Sequence, residues 1–221
     1  MGERRVLGLD EAGRGSVIGP LVVGGFCLTE SVSATLRERG VRDSKQLTAA
    51  RREEVYDDLA RCGEMRSVAL PPRTIDRWVR HGRLNQLELA AFAEIVVELA
   101  PDVVYVDACD PNAERFGRQL AALSGGGVPV VARHRADETE PIVGAASIVA
   151  KVRRDRAIEA LRRRLGDGVG SGYPSDPTTR AFVDGTVRAG GRCPAWLRES
   201  WAPVQRVKRS RSARTLDEFT S

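Results

Sequence analysis

Apolar runs and amphipathic stretches alternate along the chain, and the apolar runs predict five strands. Two of them, residues 6–10 and 21–28, lie close together near the start, and the short gap between them predicts an antiparallel pair. Three further runs of strand character follow at residues 65–70, 103–106 and 128–132. The run at 103–106 is apolar throughout, which is typical of a strand buried on both faces.

Helical periodicity fills most of the chain between these strands. The predicted helices cover residues 31–39, 48–61, 85–99, 111–123, 142–165 and 178–189, with another starting at Thr74. A hairpin followed by βαβ units predicts an α/β fold, a mixed five-stranded sheet flanked by helices. We expect one folded domain over residues 1–202, including C-terminal helices, and a basic, largely disordered tail over residues 203–221.

The composition is that of a globular protein, since 42% of the 221 residues are hydrophobic and 29% are charged. No apolar run approaches the ~20 residues that a membrane-spanning helix needs, and the first strand begins too early for a signal peptide. The four cysteines are scattered and form no Cys-x-x-Cys pair, which argues against a zinc site and against a disulfide framework. We therefore expect a cytoplasmic protein with no membrane partner.

The net charge of +5 comes from one end of the chain. Five of the 35 basic residues lie within residues 203–214, where there is no acid, and without them the chain balances its 30 acidic residues. Net charge alone is therefore weak support for a nucleic-acid partner, and local clusters of charge have to carry that interpretation.

Acidic side chains stand at the ends of three predicted strands. Asp10 and Glu11 close the first apolar run, Asp107 follows the fourth, and Asp137 lies a few residues after the fifth. If these strands are neighbours, the carboxylates converge at the sheet edge where open α/β folds bind ligands. Such oxygen ligands favour Mg²⁺ or Mn²⁺, and two such ions about 4 Å apart promote in-line attack on a phosphodiester. Taken singly, each acid is also compatible with a solvated strand end or a helix cap.

Basic residues are dense on the long helix predicted at 142–165. Seven lie between residues 151 and 164, and either phosphate contacts or a solvated helix face would explain them. Lys151 follows a section of small residues where a backbone could approach closely, and Lys45 could likewise reach a phosphate. Tyr173 follows a Gly-Ser-Gly turn, where it could stack on a sugar or simply pack against the turn.

Several short motifs follow one another in a specific order. They are Asp10-Glu11-Ala12-Gly13-Arg14-Gly15 with Gly19-Pro20, Asp43-Ser44-Lys45, Val106-Asp107, Ala136-Asp137, residues 145–151 with Arg154-Asp155, and Gly172-Tyr173-Pro174-Ser175-Asp176. Each motif is weak alone, but together and in this order they resemble ribonuclease HII, the type 2 ribonuclease H, and its archaeal form most of all. The resemblance extends from residue 6 to about residue 201.

This resemblance implies a ribonuclease H-like fold and hydrolysis of the RNA strand in RNA–DNA hybrids. It also implies incision on the 5′ side of single ribonucleotides in duplex DNA, with roles in ribonucleotide and RNA-primer removal. The implied catalytic and metal-holding residues are Asp10, Glu11, Asp107 and Asp137. The implied substrate contacts are Gly13, Arg14 and Gly15 at the ribose 2′-hydroxyl, Tyr173 at the adjoining sugar, Lys45 and Lys151 at phosphates, and Ser147.

The sequence departs from related patterns at two places. Bacterial ribonuclease HIII shares the acid pattern but carries an extra N-terminal domain, which we expect to be missing here because the first motif begins at residue 6. Glu140 replaces the tyrosine often found before the proline in this family, and we interpret that change as peripheral.

The end of the chain resembles the sliding-clamp-binding peptide of archaeal replication proteins. Leu216 and Phe219 stand at helical spacing as its hydrophobic anchors. The match is partial, because Ala213 stands where a glutamine is expected and Thr220 where a second aromatic is expected. A sliding clamp is therefore a candidate partner, and the basic run before the peptide would add non-specific DNA affinity.

We therefore expect a metal-dependent endonuclease that acts as a monomer, and two other classes of function are the alternatives. A non-catalytic protein of the same fold that binds RNA–DNA hybrids is disfavoured because all four acids are present. A different nuclease or integrase of this fold is disfavoured by the Gly-Arg-Gly motif and by Tyr173.

Overall fold

The structure is a computed structural model that describes residues 2–37, 41 and 47–220, with residues 34, 37 and 212–220 described as backbone. Lys45 and the side chains of Leu216 and Phe219 therefore lie outside the described part of the chain. The strands are β1 (Arg5–Ala12), β2 (Leu21–Thr29), β3 (Glu64–Leu70), β4 (Val103–Asp107) and β5 (Val130–Arg133).

These strands form one mixed sheet in the order β3-β2-β1-β4-β5. β1 pairs with β2 in antiparallel fashion and with β4 in parallel, and β4 pairs in parallel with β5. The predicted hairpin and the five-stranded mixed sheet are thus confirmed. In β1 and β2 almost every residue is buried, as expected for central strands covered on both faces.

Nine α-helices are found in the described residues. They are α1 (Glu30–Ser33), α2 (Ala49–Cys62), α3 (Pro72–Val79), α4 (Leu84–Leu99), α5 (Ala113–Leu123), α6 (Ala136–Thr139), α7 (Pro141–Leu165), α8 (Pro177–Arg188) and α9 (Ala202–Thr220). Short 3₁₀ turns occupy Ala34–Arg37 and Asp167–Val169. Thr48 caps α2, since its side chain accepts a hydrogen bond from the Arg51 N–H at 3.2 Å. No helix in the part of the chain that is described combines the length and the apolarity needed to cross a bilayer.

The C-terminal segment differs from the expected disordered tail. Its backbone is helical from Ala202 to Thr220. Val204 is fully buried, and Lys208 pairs with Glu199. The basic composition concealed this outcome, because a few apolar contacts and one ion pair suffice to hold a helix whose other positions are solvated.

The chain divides into two compact units, each with its own core. The first unit comprises Met1–Ala12, Val22–Ala69 and Asn85–Arg153, and its core is formed by side chains such as Phe26, Leu59 and Val143. The second comprises Gly13–Leu21, Leu70–Leu84 and Arg154–Ser221, with a core of side chains including Ile18, Val183 and Val204. Each unit is built from three discontinuous segments, and the second includes α9, while the expected single domain over residues 1–202 stays a prediction.

Two strand glycines allow the first half of α7 to lie directly on the sheet. A Cβ atom at Gly8 of β1 would stand 2.0 Å from the Ile142 carbonyl oxygen, and one at Gly24 of β2 would stand 2.7 Å from that of Ala146. Both distances are far below a van der Waals contact, so a side chain at either position would push the helix away. Gly24 is the register partner of Asp10, so this close packing brings α7 to the strand position that carries the acid.

Candidate active site

Three of the predicted acids converge. Asp10 lies in β1, Asp107 is the last residue of β4, and Asp137 is the second residue of α6, which follows β5. One carboxylate oxygen from each lies within 4.8 Å of the others. Asp10 and Asp137 are buried, and Asp107 is half-buried. The prediction that the first, fourth and fifth strands are neighbours is thus confirmed, and it explains why acids distant in sequence meet at one sheet edge.

Glu11 lies outside that group of three. Successive side chains of a strand point to opposite faces, so Glu11 follows Asp10 without sharing its direction. Its charge nevertheless acts on Asp10, and its N–H donates a hydrogen bond to Asp10 Oδ1 at 2.8 Å. A metal-holding role for Glu11 remains a prediction.

The electrostatics of the cluster centre on Asp10. Burial, followed by the charges of Glu11 and Asp107, raises the pKa of Asp10 well above the ordinary value for an aspartate. The hydroxyl of Ser147 on α7 and the Glu11 N–H oppose this rise only in part. At Asp10 the like charges and the burial thus outweigh the stabilising contacts, which suits a hard divalent cation.

Two predicted substrate residues lie on the same face of α7. Ser147 is completely buried, and its hydroxyl acts on Asp10 by opposing the rise in the pKa of that acid, an effect that the sequence did not predict. Lys151, one turn later, is half-buried. A substrate contact for either residue remains a prediction.

The Gly-Arg-Gly segment forms a tight loop in the second unit. Gly13 has a positive φ of 85°, and a Cβ there would stand 2.9 Å from the Pro20 carbonyl oxygen. The Ser16 N–H donates to the Gly13 carbonyl at 3.2 Å, which closes the turn. Arg14 is half-buried and Gly15 is exposed, so the loop presents its backbone to solvent at Gly15.

The turn before Tyr173 is bound to this loop within the second unit. The Gly172 carbonyl accepts hydrogen bonds from the Val17 N–H at 2.8 Å and from the Ile18 N–H at 3.2 Å. It also accepts one from the Ser16 hydroxyl at 2.7 Å. Two stretches more than 150 residues apart in sequence, both predicted to contact ribose, are thus held together by three bonds to one carbonyl oxygen.

Arg198 is a structural feature of this region that sequence reasoning missed. Its side chain is completely buried, and it donates to the Gly19 carbonyl at 3.0 Å and to the Arg14 carbonyl at 2.9 Å. Burial, followed by the charge of Arg154, lowers the pKa of Arg198 to about 9, so it stays protonated at neutral pH. The one available signal was a single arginine beside apolar residues near the C-terminal tryptophans.

The Glu140 substitution lies at the edge of the first unit. Its carboxylate accepts a hydrogen bond from Arg133 at 2.7 Å, and its carbonyl accepts bonds from the N–H groups of Val143 and Gly144. The charge is therefore paired with a basic residue of β5, in line with the interpretation of this change as peripheral.

Comparisons with known proteins give a consistent assignment. The sequence model of the family described as Ribonuclease HII matches residues 7–204. The ribonuclease HII of Thermococcus kodakarensis is 43% identical over 206 residues, covering 92% of this chain and 89% of that protein. The solved structure of the PCNA:RNase HII complex from Archaeoglobus fulgidus matches with a TM-score of 0.84 and 40% identity, covering 92% of this chain and 96% of that one.

A more distant structure shares the fold. The Mn²⁺ complex of Bst-RNase HIII matches with a TM-score of 0.75 at 21% identity, covering 96% of this chain and 71% of that one. Together with the archaeal structure, this likeness bears out a ribonuclease H-like fold for the five-stranded sheet and its helices.

Proposed function

Because the chain belongs to the ribonuclease HII family, and so is a ribonuclease H acting on RNA in RNA–DNA hybrids, we propose that it also incises duplex DNA on the 5′ side of single embedded ribonucleotides. The products are a 3′-hydroxyl and a 5′-phosphate end. The convergence of Asp10, Asp107 and Asp137 within 4.8 Å is the observation that carries the proposal. Such an activity would serve the removal of ribonucleotides and RNA primers from DNA in the cytoplasm.

The donor set fits the divalent cation on which the family depends. All three converging ligands are carboxylates, which Mg²⁺ and Mn²⁺ prefer and which zinc and copper sites seldom use alone. Burial raises the pKa of Asp10 most, followed by the charges of Glu11 and Asp107, and a bound cation would offset that like charge. We assign Asp10, Asp107 and Asp137, together with Glu11, as the residues that would hold two such ions.

The residues around the ions have separable roles in the proposed reaction. Two bound cations would supply an activated water and stabilise the leaving 3′-oxygen during in-line displacement. Asp10 and Asp137 are buried, in β1 and in α6, and would fix the position of the reacting phosphodiester through the ions they hold. The buried Ser147 hydroxyl opposes the rise in the pKa of Asp10, and Lys151 on the same face of α7 would contact a neighbouring phosphate.

Recognition of the ribonucleotide would fall to the second unit. The exposed backbone at Gly15, together with Gly13 and Arg14, would read the ribose 2′-hydroxyl, and Tyr173 would stack on the adjoining sugar. Support comes from the three hydrogen bonds that join the loop to the Gly172 carbonyl, because they hold both elements in one fixed arrangement. Lys45 is proposed as a further phosphate contact.

Incubation with a DNA duplex carrying one ribonucleotide tests the proposal. We expect a nick on the 5′ side of the ribonucleotide with Mg²⁺ and none with EDTA. Cleavage confined to long RNA–DNA hybrids would discard the incision at single ribonucleotides and keep the metal site. Tight hybrid binding with no cleavage of either substrate would favour the hybrid-binding alternative.

We also propose a sliding clamp as the partner of the C-terminal peptide. The structure from Archaeoglobus fulgidus is of a ribonuclease HII in complex with PCNA, and Leu216 and Phe219 are spaced as helical anchors in this chain. The backbone of the segment that carries them forms the last turns of α9, and Val204 is buried near the start of that helix.

The affinity for the Archaeoglobus fulgidus clamp, measured by calorimetry, tests this partner. We expect Phe219→Ala to abolish binding, Thr220→Ala to preserve it, and neither to alter nicking in the absence of clamp. A chain ending at Arg211 keeps the contacts of Val204 and Lys208, so equal clamp affinity for that chain would refute the proposal.

A further inference from the structure

Arg154 on α7 contacts both elements to which we assign ribose recognition. We propose that Arg154 is a positioning residue that couples the Gly-Arg-Gly loop to Tyr173, so that the two elements discriminate ribose from deoxyribose cooperatively. This inference rests on the proposed function, and it assigns the residue that makes its two recognition elements act as one. Its evidence is a set of contacts on two sides of one guanidinium group.

On one side, Arg154 supports the loop. Its Nη2 donates to the Ser16 hydroxyl at 3.2 Å, and the single proton of that hydroxyl is shared between the carbonyl oxygens of Ile18 at 2.6 Å and Gly172 at 2.7 Å. The aliphatic part of the side chain lies against Gly13, where an added Cβ would be 3.3 Å from Arg154 Cγ. The loop therefore rests on Arg154 through both a hydrogen bond and a packing contact.

On the other side, Arg154 supports the tyrosine. The same Nη2 donates to the Ser171 carbonyl at 2.5 Å. The guanidinium carbon lies 4.3 Å from the centre of the Tyr173 ring, within the range of a cation–π contact. The ring that would stack on the sugar is thus backed by the group that holds the loop.

The burial of Arg154 argues against a solvated helix residue. The residue is 5% exposed, whereas Arg163 and Arg164 further along α7 are exposed. Its charge also lowers the pKa of the buried Arg198, so two buried cations repel each other within this unit. Asp155, 3.1 Å from Arg154 Nη1, pairs with that charge, and a simple packing role could be filled by an apolar side chain without burying a charge at all.

Arginine is suited to this position in a way that lysine is not. The planar guanidinium can stack on Tyr173 while its N–H groups reach Ser16 and the Ser171 carbonyl, and a lysine ammonium is a point donor on a flexible stem. Arg154→Lys therefore keeps the charge and removes the coupling, which separates the proposed role from a purely electrostatic one.

A double-mutant cycle on discrimination tests the inference. The measured quantity is the ratio of binding affinities for a duplex with one ribonucleotide and for the all-DNA duplex, in Ca²⁺ to prevent turnover. We expect Arg154→Lys and Tyr173→Ala each to lower the wild-type ratio about tenfold, and the double variant to fall no further than either single one. Arg164→Gln, which removes a charge from the exposed end of α7, should leave the ratio unchanged.

The outcomes separate this inference from the function on which it rests. A wild-type ratio near one would refute ribose recognition itself. A high wild-type ratio that Arg154→Lys preserves, or effects that simply add in the double variant, would overturn the coupling alone. A merely structural role would lower the melting temperature and the affinity for both duplexes equally, leaving the ratio intact. Tyr173→Phe is the conservative control for Tyr173→Ala. It keeps the aromatic ring and should keep the wild-type ratio of affinities.

Discussion

Asp10 is the residue of the candidate site whose charge is least favourable for folding. It is buried, and Glu11 and Asp107 add like charge beside it. An acid whose pKa rises on folding lowers the stability of the folded state once the pH exceeds its ordinary value of 3.8, which includes neutral pH. The metal-free protein therefore holds this position at a cost in stability that a neutral side chain would remove.

Asp10→Asn should separate stability from activity. We expect no detectable cleavage, unimpaired duplex binding, and a melting temperature a few degrees above that of the wild type in EDTA, because the buried charge is gone. Addition of Mg²⁺ should stabilise the wild type and not the variant. Asp57→Asn removes an exposed charge from α2 and serves as the control for charge alone. Wild-type turnover in Asp10→Asn would refute the metal assignment.

Asp176 shows the opposite arrangement, in which a carboxylate is stabilised by hydrogen bonds. It accepts from the Ser171 N–H at 2.6 Å, from the Thr178 N–H at 2.9 Å and from the Thr179 hydroxyl at 3.0 Å. These bonds, that of Ser171 most strongly, hold the pKa of Asp176 well below its ordinary range. The ionised side chain thereby secures the turn that precedes α8 and carries Tyr173.

The sign of this shift gives a pH-dependent prediction. A depressed pKa contributes stability that is present above the ordinary value of 3.8 and is lost as the pH falls below it. Asp176→Asn should therefore melt below the wild type at pH 7, and the difference should narrow steadily below about pH 4. Melting curves from pH 2.5 to 8 would check this, and a difference independent of pH would contradict it.

Among single residues, the sequence predicts the functional side chains that stand at the ends of strands. Asp10, Asp107 and Asp137 could be found because the end of an apolar run marks a sheet edge, which topology then assembles. Arg154 and Arg198 could not be recognised as buried, because their burial depends on packing between segments remote in sequence. Charge density on α7 gave no means to tell its buried arginine from its exposed ones.

Among the elements, α7 depends for its position on two glycines of the sheet that have no side chain. Its first half can lie against the sheet because β1 and β2 have no side chain at Gly8 and Gly24. A glycine within a strand is normally a weakness, since it adds entropy to the unfolded chain and buries little surface. Here these two glycines let α7 approach the sheet, which places Ser147 near enough to act on Asp10.

Gly8→Ala tests this account of the packing. The new Cβ would meet the Ile142 carbonyl at 2.0 Å, so β1 or α7 has to move, and we expect a loss of about 3 kcal/mol or more in unfolding free energy. Urea titration would measure it. Gly185→Ala in α8, where nothing lies within 4 Å of the added atom, should instead gain up to about 1 kcal/mol from helix propensity. Equal effects of the two substitutions would contradict the argument.

The strands and most helices follow from local pattern, and α9 does not. The predicted ranges of the five strands match the observed ones closely, because continuous apolar runs leave few alternatives in a chain of this length. α9 is dominated by basic residues, and its helical backbone depends on contacts such as that of Val204 with the core of the second unit. The composition of such a helix is dominated by its solvated face, so it does not predict the few residues that pack.

For the whole molecule, the distribution of charge matters more than its sum. The excess of +5 is carried by the basic residues within 203–214, while the remainder of the chain is neutral. Arg206 and Arg209 lie on α9 and are exposed. A polyanionic duplex would meet this concentration of positive charge as a source of affinity without sequence preference.

The salt dependence of duplex binding measures that contribution. In the double variant Arg206→Gln/Arg209→Gln the slope of log affinity against log salt concentration should fall by about 2 relative to the wild type. Discrimination of ribose should not change, since phosphate contacts carry no information about the sugar. Arg118→Gln on α5, whose side chain pairs with Glu114, is the matched control. An unchanged slope in the double variant would remove α9 from the binding surface.

The raised pKa of Asp10 also makes the cluster an acid reservoir. A cation that takes its place among these carboxylates competes with protons for the same oxygens, so loading the site should release protons into the medium. The heat measured on loading would then vary with the ionisation enthalpy of the buffer, and apparent affinity would climb as the medium becomes more alkaline. Cleavage should accordingly need a higher concentration of the divalent cation as the medium becomes more acidic.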